Sequence, residues 1–257
     1  MQPVLNYKEF GQGPPLVILH GLFGMLDNWQ TIAKKLAEDY TVFVVDQRNH
    51  GRSFHKSPHT YEELAKDLAD FLEEKWIFKT HLLGHSMGGK TAMKFAMDYP
   101  DNVDHLIVAD IAPKRYEGNH QLIFDALFSI DIAHLESRKR ADELLSQKIK
   151  NPAIKQFLLK NLSRNKTGGF RWKMNLPVLK EYYGQILSAC ISEEEIFEGK
   201  TLFLKAERSS YITTEDEEII RTHFPNAIIE SIPNVGHWLH AEAPDAVVKR
   251  ILHFLAQ

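Results

Sequence analysis

Short, largely β-branched apolar runs alternate with longer amphipathic stretches through the first part of this chain. PPLVILH (14–20), TVFVVD (41–46), HLLG (81–84) and VDHLIVAD (103–110) have the length and composition of strands buried on both faces. Between them, Asn28 to Tyr40 sets Trp29, Ile32, Ala33, Leu36 and Ala37 on one helical face, with Asp27 as the expected N-cap. Residues 61–76 set Leu64, Leu68, Phe71 and Leu72 on another, and Met87–Tyr99 reads as a third helix stopped by Pro100. Strands joined by helices return in parallel, so the pattern predicts an α/β protein, a mostly parallel sheet with helices on both faces. The alternation resumes at TLFLKA (201–206), a helix around Glu215–Phe224, AIIESI (227–232) and a helix over Ala243–Leu255. Residues 113–197 break it and are mostly helical in pattern. The predicted organisation is a core in two parts, 1–112 and 198–257, with a helical cap inserted at 113–197.

A chain of 257 residues suits one domain carrying an insertion, and a net charge of −3 gives no reason to expect nucleic acid. The single cysteine, Cys190, excludes an intramolecular disulfide and reads as a small buried hydrophobe. MQPVLNYKEF has no basic segment followed by an apolar one, and no apolar run nears the ~20 residues of a membrane span. A soluble cytoplasmic protein is therefore expected, its oligomeric state open. No His and Cys spacing suggests zinc, so neither metal nor cofactor is expected.

Open parallel sheets place their sites beyond the carboxyl ends of the strands. At one such end stands GHSMG (84–88), between a predicted strand and a predicted helix. A G-x-S-x-G sequence there suits a nucleophile elbow, in which a sharp turn lifts a serine above the sheet and aims helix N-terminal amides at developing negative charge. The competing reading of Ser86 is a helix N-cap. A nucleophilic serine needs a base. Of thirteen histidines, His237 lies on the loop directly after the last strand, in IPNVGHW, at that same edge. His81 and His105 sit near strand starts, His253 on the final helix, and His50, His55 and His120 in less constrained loops. An oxyanion hole needs two amides: Met87 follows the serine, and HGLFG (20–24) offers Leu22.

HGLFG, DQRNHGRS (46–53), GHSMGG (84–89) and GHWLHAEAP (236–244), in this order, resemble the α/β-hydrolase superfamily, over nearly the whole chain. RNHGRS, DIAP (110–113) and FRWKMNLPVL (170–179) are similar to the YbfF-type bacterial esterases and their mitochondrial relatives. The resemblance implies an acyl hydrolase with a helical cap and leaves its substrate open. The superfamily's usual acid position falls in KAERSSYIT (205–213), where Glu207 is the one carboxylate. Asp110, at a strand's carboxyl end, is the location implied by the YbfF-type group and the preferred triad acid. Asp46 and Arg48 read as loop ties. Phe23, Trp172 and Tyr211 are expected pocket walls.

The expected activity is hydrolysis of small esters or acyl thioesters through an acyl-enzyme. The alternatives are a C–C bond hydrolase or lyase on the same fold, or a hydrolase-like protein that binds a small ligand with little turnover. A serine at the elbow argues against the haloalkane and epoxide branches, which use Asp there. Between Leu144 and Lys180 stand nine basic residues and no acidic one: Lys148, Lys150, Lys155, Lys160, Arg164, Lys166, Arg171, Lys173 and Lys180. They read either as a solvated helical face or as a field steering anionic substrates.

Overall fold

Every apolar run named above lies in one seven-stranded sheet in the computed structural model, which describes residues 4–165 and 168–257. Lys166 of the basic segment lies outside the described residues. The core begins β1 (Tyr7–Phe10), β2 (Pro15–Leu19), α1 (Gln30–Leu36), β3 (Thr41–Val45), α2 (Tyr61–Glu74), β4 (Thr80–His85), α3 (Met87–Asp98) and β5 (Val103–Ala109). Then come α4 (Gln121–Phe128), α5 (Arg138–Lys148), α6 (Pro152–Leu159), the hairpin β6 (Leu162–Arg164) and β7 (Phe170–Trp172), α7 (Leu176–Glu181) and α8 (Tyr183–Leu187). The sheet resumes with β8 (Lys200–Ala206), α9 (Thr214–His223), β9 (Ala227–Ile232), α10 (Leu239–Glu242) and α11 (Pro244–Leu255).

The strand order is β1-β3-β2-β4-β5-β8-β9, parallel throughout except for β1, which pairs antiparallel with β3. Period-two alternation splits each central strand between two cores. On β2, Leu16 and Ile18 face the layer of α1 and α11, with Ile32, Leu36, Val247 and Ile251. Val17 and Leu19 face α2 and α3, with Leu64, Leu68, Phe71 and Phe95. Full burial of each such side chain stabilises by about 1.5–3 kcal/mol. From β2 the chain steps outward to β3, then returns past β2 to β4. The switch point lies between the carboxyl ends of β2 and β4, where parallel sheets open a crevice.

Three local expectations change. Asp27 does not cap α1: it lies in a 3₁₀ turn, Leu26–Asn28, closed by the Met25 amide on Asn28 Oδ1 at 2.8 Å, and its carboxylate takes Lys8 Nζ at 2.9 Å. The helix then starts only at Gln30. β1 escapes a hydrophobicity scan because YKEF carries two charges and is half solvated. The mostly helical insertion also contains a hairpin, whose three-residue strands are too short to show a period.

Asp46 and Arg48 tie loops, each to its own partners. Asp46 accepts the Leu26 amide at 2.7 Å, Asn6 Nδ2 at 2.7 Å and the Arg52 amide at 2.9 Å. Arg48, buried, grips Asp67 at 2.5 and 2.6 Å, Glu63 at 2.9 Å and the Pro58 carbonyl at 2.7 Å. The two side chains thus hold the loop after β3 against the entry to the 3₁₀ turn and against α2.

Candidate active site

The turn from β4 to α3 puts Ser86 at φ 54° and ψ −121°, a region that non-glycine residues avoid. Such a residue is strained by about 1–3 kcal/mol and persists because its surroundings leave no alternative. Here the Ser86 amide is held by the Ala109 carbonyl at 3.1 Å. A methyl at Gly84 would collide with the Gly88 carbonyl and stand 2.7 Å from Gly89 Cα. One at Gly88 would stand 2.5 Å from the Leu19 and His20 carbonyl oxygens. All of these obstacles are backbone, so the elbow tolerates only glycine at these positions. The N-cap reading of Ser86 does not hold, since its side chain makes no capping bond. Its Oγ instead lies 3.0 Å from His237 Nε2.

His237 Nδ1 is 2.8 Å from Asp110 Oδ2. A carboxylate only accepts, so Nδ1 carries the proton and Nε2 is left to accept from the Ser86 hydroxyl. Asp110 is fully buried, follows β5 at φ 49°, and receives the Ala206 amide on Oδ1 at 3.0 Å. Glu207 points elsewhere: it is exposed and accepts the Asn234 amide at 2.6 Å. Tyr211 stacks on the His237 ring, centroids 3.9 Å apart and planes 18° apart. His85 Nε2 bonds the His237 carbonyl at 2.8 Å and so anchors that loop from the sheet side. Burial, reinforced by His237 and His240, pushes the pKa of His85 well below the ordinary histidine range, which keeps it neutral.

The HGLFG loop folds over Ser86. Gly24 N donates to the Gly21 carbonyl at 3.0 Å, Phe23 takes φ 59°, and the Phe23 amide donates to His50 Nε2 at 3.3 Å. His50 Nδ1 is 3.0 Å from the Arg48 carbonyl, so the ring is a neutral acceptor at Nε2. Burial, with His20 and His59 nearby, pushes its pKa well below the ordinary value. Asn161, from the inserted segment, donates to the Phe23 carbonyl at 2.8 Å. With Phe23 pinned on both sides, the Leu22 and Met87 amides have no backbone acceptor among the described residues. They are available to a negatively charged oxygen.

Two chambers meet at Ser86. The first, about 340 Å³, runs past Phe23, Ile154, Phe157, His237 and Trp238. The second, about 320 Å³, runs past Tyr61, Met87, Lys90, Tyr116, Tyr183 and Ile186. Leu22, Ser86, Asn119, His120 and Tyr211 line both. Phe23 lines the first chamber and Tyr211 lines both. Trp172 lines neither chamber: it pairs with Leu162 across the β6–β7 hairpin and packs its half-buried ring on the core. Sequence reasoning left His120 among the less constrained loop histidines and missed Asn119 and Trp238. Burial brings the His120 pKa down to about 4.

None of the described basic residues of 148–180 lines either chamber, and several are engaged locally, Lys155 with Asp142 at 3.2 Å and Lys148 with the Asp125 carbonyl at 3.0 Å. Among the described residues one group has metal-ligand character. His81, Asp104 and His105 bring ligand atoms within 4.8 Å of one another at the opposite edge of the sheet, where Lys79 is 3.4 Å from Asp104.

Residues 14–244 match the sequence model of the alpha/beta hydrolase fold family. The chain is 35% identical to esterase YbfF of Escherichia coli over 94% of its own length and 92% of that protein. It is 38% identical to the sn-1-specific diacylglycerol lipase ABHD11 of Mus musculus, over 95% of this chain and 81% of that one. Among solved structures, a marine microorganism esterase superposes with a TM-score of 0.96 at 41% identity, covering 98% of this chain and all of that one. No helix among the described residues is long and apolar enough to cross a membrane.

Proposed function

The chain belongs to the α/β-hydrolase fold family and is a carboxylic ester hydrolase, and we propose that it works through a Ser86–His237–Asp110 triad with the Leu22 and Met87 amides as oxyanion hole. The observation that carries the reading is the continuous hydrogen-bonded line from Asp110 Oδ2 through the His237 ring to Ser86 Oγ, at 2.8 and 3.0 Å, opening into both chambers. Ser86 Oγ attacks the carbonyl carbon of an ester or acyl thioester while His237 Nε2 takes its proton. The two amides hold the tetrahedral oxyanion. The C–O or C–S bond then breaks and His237 returns the proton to the leaving group. Water, deprotonated by His237, attacks the acyl-serine, and collapse frees the acid and restores Ser86. No step draws on a cofactor or metal.

We read residues 113–197 as the cap. The reading is supported by Asn161 reaching the oxyanion loop and by Phe157 and Tyr183 lining the chambers. The buried Cys190 suits a reducing compartment, and the cytoplasm is the setting proposed.

Labelling by a fluorophosphonate, run beside a panel of p-nitrophenyl esters of graded chain length and acyl-CoA thioesters, tests the assignment. Labelling is expected in the native chain and not in Ser86→Ala, with turnover of short neutral esters. Labelling without turnover of any ester or thioester would favour a C–C bond hydrolase or a ligand-binding protein. No labelling at all would remove Ser86 as nucleophile.

A further inference from the structure

Lys90 sits on α3 one helical turn beyond Ser86, its amide bonded to the Ser86 carbonyl at 3.0 Å. The Lys90 side chain is buried, 1% exposed, in the wall of the second chamber. Its Nζ donates to the Ser188 carbonyl at 2.5 Å and the Leu187 carbonyl at 3.3 Å, and lies 4.8 Å from the Tyr116 ring centroid and 5.6 Å from that of Tyr61. Among the described residues no carboxylate forms an ion pair with it. A buried ammonium without a counter-ion is costly to maintain, and two carbonyls offset only part of that cost.

The chemistry at Ser86 decides which part of a substrate meets this cation. A leaving group must lie where His237 Nε2 can protonate it, and His237 with Trp238 lines only the first chamber. Met87, whose amide faces the oxyanion, lines only the second. The leaving group therefore departs through the first chamber and the acyl chain enters the second. We propose that Lys90 binds a carboxylate at the far end of the acyl chain, so that the preferred substrates are half-esters or half-thioesters of dicarboxylic acids. This rests on Ser86 being the nucleophile.

The groups facing Lys90 leave the anion to it. Burial pushes the Cys190 thiol up to about 12 and raises Tyr61 and Tyr116 above the ordinary tyrosine range, so all three stay protonated. Lys114 pairs with Asp216 at 2.6 Å, and Glu117, the one carboxylate among the described residues that line the chamber, is exposed. Burial, with Lys114 adding repulsion, brings Lys90 itself down to about 8. It is charged below that pH and neutral above it.

The test is the ratio of kcat/KM for mono-p-nitrophenyl adipate to that for methyl p-nitrophenyl adipate, a near-isosteric neutral ester. Taking the ratio cancels any pH dependence common to both esters and any general loss of activity. The native chain is expected to favour the anionic ester by about ten- to hundredfold below pH 8, since hydrogen bonds to charged groups carry that much discrimination. The preference should decline as pH rises through about 8, as Lys90 loses its proton. Lys90→Met should bring the ratio to one or below, and Lys90→Arg should keep most of it. A lysine that merely anchors α8 would leave the ratio unmoved by Lys90→Met, which would overturn the proposal. So would a native ratio at or below one. If Lys90→Met does not fold, a native ratio that is flat between about pH 6 and pH 10 overturns it instead. Hydrolysis of neither ester would overturn the proposal, and fluorophosphonate labelling then tells whether Ser86 falls with it; hydrolysis of the neutral ester without anionic preference refutes the Lys90 site alone.

Discussion

Ser86→Ala is expected to lower kcat for p-nitrophenyl butyrate by about a million-fold while leaving the fold intact. The magnitude follows from removing the nucleophile of a triad whose members act as a unit. His237 and Asp110 then have no oxygen to activate, and what remains is water attack assisted by the oxyanion hole. Folding should survive because among the described residues the Ser86 hydroxyl bonds only His237, while the turn is held by backbone, through the Ser86 amide on Ala109 and the close approach of Gly84 and Gly88 to neighbouring chain. Alanine carries the same Cβ in the same strained region, so it neither relieves nor adds to the strain there. Steady-state kinetics and thermal melting on the same preparation check both halves. A variant that melts with the native chain and keeps more than about a tenth of its kcat would dismiss Ser86 as nucleophile.

The parts legible in the sequence were those that local pattern dictates. Fully buried strands such as LVIL and VFVV show as apolar runs whichever face they present, and the elbow's glycines are required within a single turn. Leu22, Ser86, Met87 and His237 were reachable because each follows a strand end, and the sheet rule collects those ends on one edge. What stayed hidden depends on packing between distant segments. Lys90 reads as the polar residue of a helical first turn, and its burial is created by the end of α8, nearly 100 residues on. His50 reads as a loop residue, and only the closure of HGLFG over the strand ends gives its Nε2 the Phe23 amide. Trp172 misled because a large aromatic in an inserted segment suggests a wall, whereas a short hairpin turns it onto the core. β1 and the β6–β7 hairpin are too short or too solvated to carry a period at all.

The choice between Asp110 and Glu207 rests on which carboxylate reaches His237, and it yields the second large effect. Asp110→Asn is expected to lower kcat by about ten thousand-fold, the loss seen when a triad acid becomes an amide. The geometry says why the loss should be so large. Asp110 Oδ1 receives the Ala206 amide at 3.0 Å, so an asparagine there keeps its carbonyl oxygen on Ala206 and turns its NH₂ toward His237 Nδ1. That nitrogen must then accept, which moves the ring proton to Nε2 and aims a donor at Ser86 Oγ. The serine loses its base, and the imidazolium formed during attack loses its counter-charge. The backbone should tolerate the change, because φ 49° at position 110 is a conformation that asparagine adopts readily. Glu207→Gln, by contrast, removes only charge from an exposed side chain whose Oε2 takes the Asn234 amide at 2.6 Å, and a glutamine oxygen can take the same bond. Its kcat should stay within about threefold of the native value, as expected of an exposed group that does not touch the reacting atoms. Measuring kcat for both variants on one neutral ester separates the two carboxylates. Collapse in Glu207→Gln beside native turnover in Asp110→Asn would reverse the assignment and mean that His237 swings toward β8 in the working enzyme.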